Sequence, residues 1–348
     1  METMRAVVVQ EPGKVEIITT NKPSPGPYQA LVRTDAAYFC NMTDSKLVHG
    51  SFPGVDTYPL ALGHESTGLI EAVGDKVKNF HIGQRAISGL VFDFQDPELH
   101  SGWGGFSEFT LVNDHEAMLA DGVADEDHGW YECYEIQNVV DDDISAKEAA
   151  LLCTWREVYG GIGDFHITPE DSVLIFGGGP VGLSFVKFLK LMGLPYVALV
   201  DPNPPKHALA KSMGADATFT PDSEDLKNLT ALRGKPLDVV LDAVGHENII
   251  NSALPLIKMG GTIGVYGVIA AEKLTLEKNK APYNFNLLIH QWPTRHRERT
   301  AQQPLCQWVR EGKLNADEFI SHEFAFENIM DAYQAVADRK VIKALIHY

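Results

Sequence analysis

Within FCNMTDSKLVHG, residues 39–50, Cys40, Thr43, Asp44, Lys46 and His49 fall within ten residues of one another. Alone, Cys40 reads as a buried thiol, because free cysteine behaves as a small hydrophobe. Two further clusters change that reading. LALGHESTG, residues 60–68, places His64 and Glu65 between glycines, and ALLCTWREVYGG carries Cys153. Two thiolates and an imidazole form a three-ligand set that leaves a fourth zinc position open for water or substrate, as a catalytic site requires. A different chemistry is written in FGGGPVG, residues 176–182, where Gly177, Gly179 and Gly182 form G-x-G-x-x-G and Pro180 and Val181 open a helix. The first glycine permits a tight turn, the second lets backbone approach a pyrophosphate, and the third allows close helix–strand packing. Asp201 follows nineteen residues after the last glycine, at the end of YVALVD, where the ribose-binding acid belongs. A carboxylate there repels a 2′-phosphate, so NAD is favoured over NADP.

These residues need elements to hold them. Up to about residue 112, short β-type runs (RAVVVQ, VEIITT, QALVRTDAAYF, STGLIEAVG, FSEFTLV) are separated by prolines and glycines, which predicts a barrel-like β domain. From about residue 172 the rhythm changes to strands (SVLIFG, YVALVD, ATFTP, LDVVLDAVG, GGTIGVYG) alternating with helices (PVGLSFVKFLKLMG, KHALAKSMG, ENIINSALPLIKMG), the pattern of a parallel sheet covered on both faces. A last helix, NIMDAYQAVADR, and a last strand, VIKALIHY, are expected to rejoin the first domain. The length of 348 residues favours two domains. A net charge of −18 argues against nucleic-acid binding. No run is long enough to span a membrane, the N-terminus lacks a signal-peptide plan, and four scattered cysteines form no disulfide framework, so a cytoplasmic location is expected.

In this order the motifs resemble the zinc-dependent medium-chain alcohol and polyol dehydrogenases over nearly the whole chain. The resemblance implies a mixed α/β plus β fold: a GroES-like β-barrel catalytic domain over residues 1–155, completed by 296–348, and a Rossmann domain with a doubly wound parallel sheet over 156–295. It implies Cys40 and His64 as zinc ligands, completed by Cys153 or by Glu65. It further implies Thr43 as the hydroxyl that takes the substrate proton, Asp44 as the carboxylate orienting a ligand imidazole, and Lys46 in the proton-relay position, with His49 near the surface as an alternative. Lys206 would reach the ribose and Lys343 would lie near the pyrophosphate. Val244, Val265 and Gly267, after the fourth and fifth strands, are expected to border the nicotinamide. Two departures stand out. The family pattern Cys-Gly-[Thr/Ser]-Asp is here Cys-Asn-Met-Thr-Asp, one residue longer, and SGLVFDFQDPELHSGWGG lacks the cysteines of a structural zinc, so one zinc per chain is expected.

The implied activity is reversible oxidation of a primary or secondary alcohol or polyol by NAD, zinc acting as a Lewis acid, in a homodimer or homotetramer. The alternatives are a zinc-free NADPH quinone or enoyl reductase on the same fold and a non-catalytic dinucleotide-binding protein. Phe39, Trp103 and Trp155 lie near the metal motifs in sequence but read individually as core aromatics. Two segments are ambiguous. The acidic stretch 121–145, with His128 and Cys133, suits a lid, a subunit contact or a plain surface loop, and Arg295, Arg297 and Arg299 suit a solvated face or a substrate clamp.

Overall fold

A computed structural model describes residues 2–348, which form two compact units: residues 2–154 with Gln302–Tyr348, and Trp155–Ala301. In the first unit the alternating apolar runs form two sheets. Lys14–Asn21, Thr3–Glu11, Leu60–Ala61 and His100–Ser101 make one; the other runs in the order Ile320–Ala325, Lys343–His347, Gln29–Tyr38, Glu65–Val73, Arg85–Ile87, Asn138–Val140, with Phe109–Asn113 also on Gln29–Tyr38. The terminal strand pairs antiparallel with Gln29–Tyr38, Leu345 opposite Tyr38, which brings Lys343 beside Phe39 and Cys40. A buried cluster that includes Val7, Phe39, Leu47, Leu62, Phe106 and Ile346 lies beneath this end of the sheet.

The second unit is a six-stranded sheet in the order Ala217–Phe219, Tyr196–Val200, Ser172–Phe176, Leu237–Asp242, Ile257–Val265, Asn286–Ile289. Every neighbouring pair is parallel, and counted along the chain the order is 3-2-1-4-5-6, the arrangement of dinucleotide-binding sheets. One helix differs from expectation. ENIINSALPLIKMG is helical only over Glu247–Ala253, and Ile257 already belongs to the next strand. Pro255 accounts for this: Leu254 still has helical backbone (φ −51°, ψ −45°), but the proline ring nitrogen has no proton to donate to the carbonyl of Asn251 and the ring crowds that carbonyl, so the helix cannot continue.

The acidic stretch is folded onto the first unit. It contains short turns of helix at Glu126–His128 and Glu132–Ile136, Trp130 Nε1 donates to His115 Nδ1 at 3.0 Å, and Tyr131 and Tyr134 pack on Phe92. Its anchor is Gln137. This buried amide accepts from Asn113 N at 2.8 Å and donates to Ser88 O at 2.8 Å, while Arg310 holds Asp141 and Asp143 at the far end.

Candidate functional site

Cys40 follows the strand Gln29–Tyr38, and the chain then turns tightly into the short helix Thr43–Val48. The extra residue is absorbed in that turn: Asp44 N donates to Cys40 O at 3.2 Å, Asn41 Nδ2 donates to Ile342 O at 2.9 Å, and Met42 projects outward, 44% exposed. Asp44 is fully enclosed at 1% exposure, and its Oδ2 accepts from Cys40 N at 2.9 Å. Its Oδ1 lies 3.6 Å from His64 Nδ1, longer than a hydrogen bond, and both atoms are buried with no other hydrogen-bond partner. Thr43 is buried at the start of the helix, Lys46 lies one turn on with its pKa lowered by burial, and His49 Nδ1 meets Ser45 O at 2.7 Å.

His64 and Glu65 enter the neighbouring strand, Glu65–Val73. One ligand atom each from Cys40, His64 and Glu65 lies within 4.8 Å of the other two. A thiol, an imidazole and a carboxylate at this spacing match zinc in chemistry and size, since all three donor types bind it at about 2.0–2.3 Å. Burial pushes the His64 pKa down, but Asp44 and Cys40 beside it reverse this and hold it well above the ordinary value. The carboxylate does not stand alone. Lys343 Nζ forms an ion pair with Glu65 and donates to Phe39 O at 3.3 Å, and burial of the ammonium is outweighed by Glu65 and Cys40, which raise its pKa. Cys153 is not in this group: its sulfur sits 3.4 Å from Ser88 Oγ and 3.9 Å from Ser66 O.

In the second unit, Gly177 turns the chain out of Ser172–Phe176 with φ +103°, and Pro180 and Val181 begin the helix Pro180–Leu191. A Cβ on Gly182 would lie 1.7 Å from Gly177 O, whereas one on Gly179 would meet nothing within 4 Å. Asp201 closes Tyr196–Val200 with 5% exposure, accepting from Gly178 N at 2.7 Å and Asn203 N at 2.8 Å, with Lys206 Nζ 3.4 Å away. Asp242 accepts from Val244, Gly245 and His246 N at 2.8–2.9 Å, which leaves Val244 outward at 39% exposure; Val265 ends the neighbouring strand inside the core, two residues before Gly267.

Residues 26–121 match the alcohol dehydrogenase GroES-like domain, and residues 180–291 match the zinc-binding dehydrogenase family. The chain belongs to the zinc-type medium-chain dehydrogenases. Among relatives, the L-galactonate-5-dehydrogenase of Escherichia coli K12 is 25% identical, the match covering 100% of both chains. Two solved structures share the fold: a short chain alcohol dehydrogenase from Escherichia coli CFT073 complexed with NADH (TM-score 0.79, 21% identity, 100% of both chains) and a zinc-binding dehydrogenase from Sinorhizobium meliloti bound to NADP (TM-score 0.80, 23% identity, 100% of both chains). Zinc and a nicotinamide dinucleotide are the cofactors that membership implies.

Within this medium-chain dehydrogenase, sequence reasoning missed two contacts. The resemblance put Lys343 near the pyrophosphate and did not foresee that its ammonium lies against Glu65; nothing in VIKALIHY signals a partner 278 residues away. Trp103 packs on the His64 ring, with centroids 5.4 Å apart. Its signal was available: a lone aromatic in SGWGG, flanked by glycines, is a bulky residue placed in a tight turn. Two of the three clustered arginines are tied up within their own unit, Arg295 on Glu298 at 2.8 Å and Arg297 on Asp164 at 3.0 Å.

Proposed function

We propose that this dehydrogenase interconverts an alcohol or polyol and its carbonyl compound, with Cys40, His64 and Glu65 holding one catalytic zinc and NAD accepting the hydride. The observation that carries the reading is the convergence of these three donors, backed by Asp44 and Lys343. Bound zinc supplies Lewis acidity that brings an alcohol's pKa toward neutrality. The chain's own residues do the rest. Asp44 fixes the Cys40 amide and faces the His64 imidazole, the role expected of a carboxylate behind a metal ligand. Thr43 Oγ1 takes the proton of the substrate hydroxyl, and Lys46 and His49, on and just after the same short helix, pass it outward. Lys343 holds the Glu65 carboxylate in place beside the other two donors through their buried ion pair.

Asp201 supports NAD, because a buried carboxylate fixed by two backbone amides can accept from ribose hydroxyls and disfavours a 2′-phosphate. Lys206 moderates that repulsion without removing it. A zinc-free reductase would have no use for the Cys40, His64 and Glu65 donors. The test combines zinc analysis with turnover of an alcohol and polyol panel in NAD and NADP. We expect about one zinc per chain, lost in Cys40→Ala and His64→Ala with the fold retained, and a more than about tenfold shift of the NAD/NADP ratio in Asp201→Ala. Full zinc occupancy in both ligand variants would refute the metal assignment.

A further inference from the structure

Trp103 is held in left-handed backbone, φ +73°, a conformation that bulky side chains adopt only where the surroundings impose it. What imposes it is a clamp between two segments of the first unit. Gly102 N donates to Ala61 O at 2.7 Å, Gly105 N to Gly63 O at 2.7 Å, and Phe106 N to Leu62 O at 2.9 Å, so the turn 102–106 is bonded along 61–63, immediately before His64. The glycines make the approach possible: a Cβ on Gly105 would lie 2.8 Å from Gly63 O, and one on Gly104 2.8 Å from Val91 O. The result is an indole whose centroid is 5.4 Å from the His64 imidazole and 5.8 Å from the Phe52 ring, which meets it edge-on at 84°. Both aromatic side chains are only partly buried. Strained backbone of this kind gathers at functional sites.

We propose that Trp103 is a specificity-determining residue: with Phe52 it forms an aromatic wall beside His64 that receives the uncharged carbon chain of the substrate beyond its carbinol carbon. The inference deepens the dehydrogenase reading and rests on it. An alcohol whose oxygen reaches the Cys40, His64 and Glu65 group extends its next carbons past the ring of His64, and the surface flanking that ring is aromatic. Aromatic faces bind C–H groups of alkyl and polyol chains and offer nothing to a carboxylate. The cation beside the donors, Lys343, is 2% exposed and already paired with Glu65, so it is not presented to an anionic substrate. The wall therefore discriminates by the carbons beyond the carbinol carbon, and favours alcohols and polyols of three or more carbons over ethanol.

Two measurements on the zinc-loaded protein test this. Without dinucleotide, saturation-transfer NMR with 1-butanol and xylitol should show saturation passing from indole protons to the protons on carbons two and three, and Trp103→Ala should abolish it. In turnover, Trp103→Ala should raise KM for both alcohols about tenfold with kcat and the ethanol KM nearly unchanged, while Trp103→Phe holds the effect to about threefold. Zinc content should stay at the wild-type level in both variants. Loss of zinc in both would make the indole a mere support for His64 and overturn the proposal. So would an unchanged KM across the panel. A wild-type protein that oxidises no alcohol would refute the dehydrogenase reading instead, and the NMR contact would still decide the place of Trp103.

Discussion

Glu65 is a carboxylate at 3% exposure whose charge is matched by one ammonium, Lys343, itself 2% exposed. Removing one partner of such a pair strands the other in a low-dielectric interior, which costs more than the intact pair contributes. Lys343→Met should therefore lower the unfolding free energy of the metal-free protein by about 3–5 kcal/mol. Adding Glu65→Gln should recover most of that loss, because the amide carries no charge to strand. Urea denaturation of the two single variants and the double variant checks this. Equal losses in Lys343→Met and the double variant would show that something other than the stranded charge sets the cost.

At the scale of elements, the turn between Ser172–Phe176 and Pro180–Leu191 separates two uses of glycine. At Gly182 the added Cβ would lie 1.7 Å from the Gly177 carbonyl oxygen, so the helix must move off the strand; at Gly179 it meets open space. Gly182→Ala should lower Tm as well as dinucleotide binding. Gly179→Ala should leave Tm of the free protein unchanged and weaken dinucleotide binding by about tenfold or more, since the methyl group occupies the space through which backbone approaches a pyrophosphate. Thermal melts with and without NADH separate the two. A Gly179→Ala variant that melts and binds like the wild type would remove that amide from the cofactor cradle.

At the scale of the whole molecule, the parallel sheet ends in an open edge. Asn286–Ile289 pairs on one side only, with Ile257–Val265, and Ile289 is 44% exposed; Met259, toward the start of Ile257–Val265, is 60% exposed, and Tyr283, just before the edge strand, 84%. Unpaired edges with apolar side chains invite a further strand. We propose that copies of this chain associate across this edge, and expect Ile289→Lys to reduce the size of the assembly in sedimentation velocity while zinc content stays constant. An Ile289→Lys variant that sediments like the wild type would place the subunit contact elsewhere.

Read from the sequence alone, the chain yields what short-range order encodes. Alternating apolar runs with proline and glycine between them specify strands; G-x-G-x-x-G between an apolar run and a helical period specifies the dinucleotide turn; Cys40 and His64 offer metal-ligand chemistry by type, while the parts of Thr43, Asp44 and Glu65 are legible only through the resemblance of the motifs to a family. The helix that stops at Ala253 shows the limit even here, because the period ran on through Pro255 while the backbone could not. Tertiary structure decided which donors meet. Cys153 and Glu65 were equal candidates for the zinc set until the fold turned the Cys153 sulfur toward Ser88 and Ser66 and put Glu65 at the mouth of its strand. Lys343 reaches Glu65 only because the last strand pairs with Gln29–Tyr38 in one register, and a slip of one residue would send its side chain to the other face. Trp103 reaches His64 only through backbone bonds between segments about forty residues apart in the chain. Such contacts depend on register and on long-range closure, which no window of consecutive residues contains.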